Sequence, residues 1–180
     1  MPDLTLLTIC GALRAGSTNR MLLAEAARVF GAAKVVGADL RLPLYDNDLE
    51  DASGIPDEVQ ILAEQIRGAD AVVISTPEYN KSLSGVLKNA LDWVSRVPGS
   101  AWRDKPVAII SAADGRAGGE RAQFALRLCM VAFRPRLLAG PEVMVANSRT
   151  AFDAQGRLME ARTIKGLTEL MQALRVEAMR

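Results

Sequence analysis

Three short stretches hold the residues whose types and spacing could do chemistry, and each falls where an apolar strand gives way to a helix. The first reads Pro77-Glu78-Tyr79-Asn80-Lys81-Ser82 and runs on to Gly85. It combines an aromatic ring, amides, hydroxyls and small residues, a set suited to a flat ring with polar edges rather than a sugar or a metal. The second reads Gly11-Ala12-Leu13-Arg14-Ala15-Gly16-Ser17-Thr18-Asn19. Glycines allow tight backbone, Ser17 and Thr18 offer hydroxyls, Asn19 an amide and Arg14 a cation. A helix beginning there points backbone N–H groups and the positive end of its dipole at an anion. Ser, Thr and Asn also cap helix starts, so one of the three is expected to serve as a cap. The third runs from Ser111 to Gly119, with Gly115 and Gly118, and reads either as a backbone wall for a planar ligand or as a plain glycine-rich turn.

Two phosphate-binding patterns fail on inspection. The spacing Gly11-x4-Gly16 resembles a nucleoside-triphosphate loop, but Ser17 stands where that motif needs lysine. The dinucleotide pattern G-x-G-x-x-G is broken by Leu13 at its second glycine. A single terminal phosphate held by hydroxyls and one arginine fits better.

The elements that position these stretches alternate. Apolar strands are expected at Leu4–Cys10, Lys34–Asp39, Ala71–Ser75, Val107–Ser111 and Pro141–Val145. Helical periodicity covers Asn19–Phe30, Pro56–Arg67, Gly85–Val97, Gly119–Arg134 and Arg162–Met179. Strands alternating with helices predict an α/β three-layer sandwich, a parallel sheet with helices on both faces. With five strands the natural order is 2-1-3-4-5, whose switch point lies between the first and third strands. The chemistry-bearing loops follow those two strands, so pattern and topology point to one crevice. The acidic stretch Arg41–Gly54 is expected to be an ordered surface loop beside the site or a neighbouring subunit.

Composition bounds the rest. The chain has 180 residues, enough for one domain spanning 1–180 with a real core. Net charge is +1 with no basic run, which gives no reason to expect nucleic-acid or membrane partners. There is no histidine, and Cys10 and Cys129 are the two cysteines. Histidine-based acid–base chemistry is therefore excluded, and no metal site is expected. Both cysteines read as small core residues without a disulfide. No targeting segment or membrane span is visible, which makes the cytoplasm the default. Trp93 and Trp102 read as core or subunit packing, and Lys88 with Asp92 as a surface i,i+4 pair.

The chain resembles the NADPH-dependent FMN reductases, a flavodoxin-like group that includes bacterial quinone and chromate reductases. The stretches that carry the resemblance are Gly11–Asn19, Leu42–Leu49, Pro77–Ser82, Gly85–Trp93 and Gly118–Arg121. Ala12 stands where the family usually has serine, and Ser84 where it usually has proline. The resemblance implies an FMN-dependent NAD(P)H oxidoreductase. Its FMN would lie against Gly11, Arg14, Ser17, Thr18, Asn19, Pro77, Glu78, Tyr79, Asn80, Ser82, Gly85, Ser111, Gly115 and Gly118. NADPH or NADH would be the co-substrate, with Arg14 and Arg116 as candidates for the 2′-phosphate. The acceptor would be a small molecule, quinone-like, with chromate or azo compounds as side substrates. No catalytic side chain is needed, because hydride chemistry belongs to the flavin. A flavodoxin-type electron carrier and a flavin reductase releasing reduced FMN are the alternatives. Near-neutral charge counts against a carrier, which docks through acidic surface. The resemblance also implies a homodimer or homotetramer. The Asp46–Asp51 stretch, Trp93 and the Arg134-Pro135-Arg136 turn are the contact candidates.

Overall fold

A computed structural model describes residues 4–180. In chain order the elements are β1 (Thr5–Cys10), α1 (Thr18–Phe30), β2 (Lys34–Gly37), α2 (Asn47–Ser53), α3 (Asp57–Gly68), β3 (Ala71–Thr76), α4 (Gly85–Arg96), β4 (Pro106–Ala112), α5 (Glu120–Met130), a 3-10 turn (Val131–Phe133), β5 (Arg136–Leu137), β6 (Val143–Val145) and α6 (Ala161–Ala178). All the strand pairings are parallel, and the sheet runs β2-β1-β3-β4-β5 with β6 also paired to β4.

Alternation along the strands divides two cores. Leu7, Ile9, Val72, Ile74, Val107 and Ile109 face α3, α4 and α5, where they meet Leu62, Ile66, Leu87, Trp93 and Leu126. Leu6, Val73, Ala108 and Ile110 face α1 and α6, against Leu22, Phe30, Leu167 and Leu174. β3 and β4 are buried along their whole length, which explains their unbroken apolar runs. The result is the three-layer, flavodoxin-like sandwich expected from the alternation.

Two elements differ from expectation. The fifth strand is not the single run Pro141–Val145. Its place beside β4 is shared by β5, paired with Pro106 and Val107, and β6, paired with Ile110 to Ala112. The turn Leu138–Glu142, which contains Gly140 and Pro141, separates the two, because proline has no N–H for a ladder. The acidic stretch Arg41–Gly54 is also not all loop. Asp46 accepts a hydrogen bond from the Asp48 N–H at 2.9 Å and caps α2. No residue of that helix is buried, so it carries no apolar stripe for a periodicity argument to find.

Trp93 and Trp102 are both core residues, 0% and 3% exposed. Trp93 therefore has no surface for a subunit contact. Its indole Nε1 donates to the Pro43 carbonyl at 2.8 Å, and its ring meets Tyr45 edge-on at 5.0 Å. Asn89 bonds the same segment through Pro43 O and the Tyr45 N–H. The conspicuous amide and indole of α4 thus anchor the chain leading into α2. Lys88 and Asp92 form the expected surface pair at 2.6 Å.

Candidate active site: three loops at the carboxyl ends of the central strands

The loops after β1, β3 and β4 meet at the carboxyl edge of the sheet, and their contacts are specific. Gly11 donates its N–H to the Ser75 carbonyl at 2.8 Å. A Cβ at Gly11 would lie 3.1 Å from Pro77 Cδ and 3.1 Å from Ser84 Oγ. A side chain there would crowd both, because the first loop crosses directly over the start of the second. Ser84 is buried and caps α4, its Oγ accepting from the Leu87 N–H at 3.4 Å. The serine that replaces the family's usual proline is therefore a helix cap packed against Gly11.

The first loop divides its polar residues between structure and open surface. Ser17 is buried, and its Oγ accepts from the Asn19 N–H at 3.2 Å as the cap of α1. Asn19 is 2% exposed, and both ends of its amide are bonded within the protein. Its Nδ2 donates to Ala112 O at 2.8 Å, while its Oδ1 accepts from the Ala112 N–H at 3.0 Å and from Ser75 Oγ at 2.7 Å. The side chain sews α1 to the ends of β3 and β4, with both its oxygen and its nitrogen engaged inside the protein. The methyl of Ala12 is buried in the core beneath α1 and α6. What faces outward is Arg14, Gly16 and half-buried Thr18. Among the described residues, the N–H groups of Ala15, Gly16 and Thr18 have no internal acceptor. The Arg14 guanidinium folds back onto the loop, its Nη1 3.5 Å from where a Cβ of Gly16 would stand. Two arginines that the sequence did not single out fix this loop. Arg41 donates to Leu13 O at 3.1 Å and Arg20 to Arg14 O at 3.3 Å.

The second loop is a tight hairpin. Tyr79 and Ser82 exchange N–H···O bonds of 3.1 Å in both directions. Between them Asn80 and Lys81 take φ of 50° and 67°, the paired left-handed conformation of a two-residue type I′ turn. Asparagine tolerates that conformation, which accounts for its place in the motif. The turn holds the Tyr79 ring 56% exposed. Glu78 points elsewhere. Its Oε2 accepts from the N–H groups of Arg121 at 3.1 Å and Ala122 at 3.4 Å, so it caps α5 and ties the second loop to the third. Gly85 opens α4, exposed, with nothing within 4 Å of a notional Cβ. No close approach at this position demands glycine.

The third loop shows the same division. Ser111 is fully buried. Its Oγ donates to Gly118 O at 2.6 Å and accepts from Gln123 Nε2 at 2.8 Å. Gly119 has φ of 96°, and a Cβ there would sit 2.8 Å from Ser111 Oγ. A Cβ at Gly118 would lie 2.7 Å from the Met144 carbonyl carbon. Gly115 and Arg116 lie exposed at the tip.

Ser17, Asn19, Glu78 and Ser111 thus build the scaffold. Arg14, Gly16, Thr18, Tyr79, Asn80 and Gly115 present the surface. Free backbone donors and one cation in one loop and an exposed ring in the next suit a phosphate-bearing planar molecule. The sequence profile of the NADPH-dependent FMN reductases matches residues 4–150. The chain belongs to this family. It is 43% identical over 176 residues to an NAD(P)H-dependent FMN reductase of Pseudomonas aeruginosa, covering 97% of this chain and 95% of that protein. It is 40% identical over 174 residues to a quinone reductase of Escherichia coli, covering 94% and 93%. Among solved structures it superposes on FerB, a flavoenzyme NAD(P)H:(acceptor) oxidoreductase from Paracoccus denitrificans, with a TM-score of 0.86, 29% identity and 97% of each chain covered. Membership makes this FMN reductase homologue an oxidoreductase that uses FMN and NAD(P)H. The residues on its crevice fit that cofactor by their chemistry: amide donors, a guanidinium and an exposed aromatic ring. Among the described residues no helix is long and apolar enough to cross a membrane.

Proposed function

We propose that the crevice binds FMN with its phosphate on the Arg14–Thr18 loop and its ring beside the Tyr79–Ser82 hairpin. In this reading the enzyme reduces quinone-like acceptors with NADPH or NADH. The observation that carries it is the division of labour just described. The buried polar groups bond within the protein, and the unspent backbone N–H groups of Ala15, Gly16 and Thr18 share one short loop with Arg14, whose Nη1 lies 3.5 Å from where a Cβ of Gly16 would stand. Bound FMN would supply the redox chemistry by accepting hydride from the nicotinamide and passing two electrons to the acceptor. The chain's own part is to neutralise the phosphate with Arg14, to hold the ring with the rigid hairpin and to offer amides to the ring's polar edge. Gly115 and Arg116 border the same crevice, and Arg116 supplies a cation for the pyridine nucleotide.

An anaerobic visible spectrum of the FMN-reconstituted protein tests this reading. Bound flavin absorbance that bleaches on adding NADPH is the expected result. Flavin that binds and does not bleach would turn the reading toward an electron carrier, and protein that takes up no FMN would overturn the phosphate site.

The same reading includes assembly into a homodimer or homotetramer and residence in the cytoplasm. Its support is α5 and the turn after it. Phe124, Leu128 and Val131 follow i, i+4, i+7 spacing and are 49%, 75% and 69% exposed. An apolar stripe of that length on a helix suits a second copy of the chain better than water.

A further inference from the structure

At the opposite end of the sheet from the crevice lies a cavity of about 410 Å³. It is bounded by the last turn of α4, the loop Val97–Arg103 and the 3-10 turn after α5. Its volume is in the range of small-molecule sites, roughly 300–1,000 Å³. Its larger apolar side chains are Val94, Val97, Trp102 and Phe133, with the two aromatic rings 6.4 Å apart and tilted by 57°.

The charged lining is one-sided. Arg96, Arg103 and Arg134 line the cavity, and no carboxylate does. Arg96 is neutralised by Glu50 at 2.9 Å. Arg103 and Arg134 form no ion pair and donate no side-chain hydrogen bond among the described residues. A cation at a helix C-terminus answers the negative end of the dipole, which accounts for Arg96 and for Arg134 at the end of the 3-10 turn. It does not account for Arg103, which comes from a loop. The wall also holds an unspent donor. The Trp102 Nε1–H is buried and has no acceptor among the described residues, although buried indole N–H groups ordinarily find one.

We propose that this cavity binds a small aromatic carboxylate. The ring would lie against Trp102 and Phe133, and the carboxylate would meet the guanidinium groups of Arg103 and Arg134. Guanidinium pairs suit a planar two-oxygen anion, and an aromatic wall suits the ring that carries it. None of these residues belongs to the crevice, so the site is independent of the cofactor reading.

The test uses the FMN-loaded protein and 2-naphthoate as the probe. Calorimetric titration is expected to show one bound naphthoate per chain, with the flavin spectrum unchanged and tryptophan emission altered. The Trp102→Phe variant should lose most of that emission change while Trp93 remains. Combining Arg103→Ala with Arg134→Asn should weaken binding at least tenfold and leave NADPH oxidation unchanged; asparagine keeps the left-handed backbone at position 134, where φ is 54°. Ala132→Trp, which keeps both charges and fills the mouth, should abolish binding. No binding by the wild type would overturn the proposal. So would affinity untouched by both the charge and the filling variants, or binding that shifts the flavin spectrum and so belongs to the crevice.

Discussion

Asn19 and Arg14 occupy one loop and answer to different physics. Asn19 is buried, and its amide satisfies both the N–H and the carbonyl of Ala112. Replacing it by alanine strands those groups and the Ser75 hydroxyl, and unsatisfied buried groups cost about 1–3 kcal/mol each. Asn19→Ala should therefore lower unfolding stability by roughly 2–4 kcal/mol in urea titration. Arg14 is exposed and touches its own loop, so Arg14→Ala should leave the urea midpoint unmoved. Its effect should appear in FMN dissociation, at least tenfold weaker by fluorescence titration, as expected when a charge-assisted contact worth about 1.5–3 kcal/mol is lost. The glycines separate in the same way. Gly119→Ala forces a Cβ to 2.8 Å from Ser111 at φ of 96° and should destabilise by about 1–3 kcal/mol. Gly85→Ala meets nothing within 4 Å and should be neutral or mildly stabilising by thermal melting.

At the scale of elements, the long segment after β6 is held to α1 by a buried acid. Glu25 is 2% exposed. Arg28 grips its carboxylate with two bonds of 3.0 Å, and Arg157, from the chain bridged between Phe152 and Leu158, adds a third at 2.7 Å. The hydrogen bonds from Arg28, opposed by burial and aided by Arg157, hold the Glu25 carboxyl below its ordinary value of 4.5. A pKa lower in the folded state than in the unfolded one means that the ionised group stabilises the fold above the unfolded value. That contribution disappears as pH falls through the folded value. Wild-type stability should accordingly drop on acidification below about 4.5, whereas Glu25→Gln, weaker at pH 7, should show a shallower acid limb. Denaturant midpoints from pH 7 down to 3 would decide it. The segment's docking was not legible in the sequence, because Glu25 and Arg157 stand 132 positions apart and only folding brings them together. The helix α2 was hidden for another reason: it fully buries no residue and packs only Leu49 against the core, and one apolar contact sets no period.

For the whole molecule, the apolar stripe on α5 makes a quantitative claim about mass. Light scattering should give a multiple of the 19.3 kDa chain. Leu128→Glu, which places a charge in the middle of the stripe, should shift the population toward that single-chain mass. A wild-type monomer would overturn the assembly reading while leaving the fold untouched. The stripe also explains why the sequence favoured other contact candidates. Trp93 is conspicuous by type, but its ring is consumed by Tyr45 and the Pro43 carbonyl. Arg136 is turned toward the C-terminal helix, where it pairs with Glu177 at 3.1 Å.

The sequence by itself determined the alternation of strands and helices, the parallel sheet and the crevice between the first and third strands, but neither α2 nor the division of the fifth strand. Those follow from local rules: apolar runs too long for one exposed face, helical spacing between them, and glycines and capping residues at the junctions. It also marked the stretches that form the crevice, because turn residues and small side chains cluster where backbone must come close. Tertiary structure alone decided which polar residue in each stretch builds the loop and which faces outward. Asn19, Glu78 and Ser111 have the same donors and acceptors as residues that would bind a ligand, and their partners, Ala112 93 positions from Asn19, Arg121 43 positions from Glu78, and Gly118 and Gln123 beside Ser111, are brought to them by the fold. A hydrogen bond is satisfied by whichever group stands within about 3 Å, and that distance is set by packing, not by sequence order.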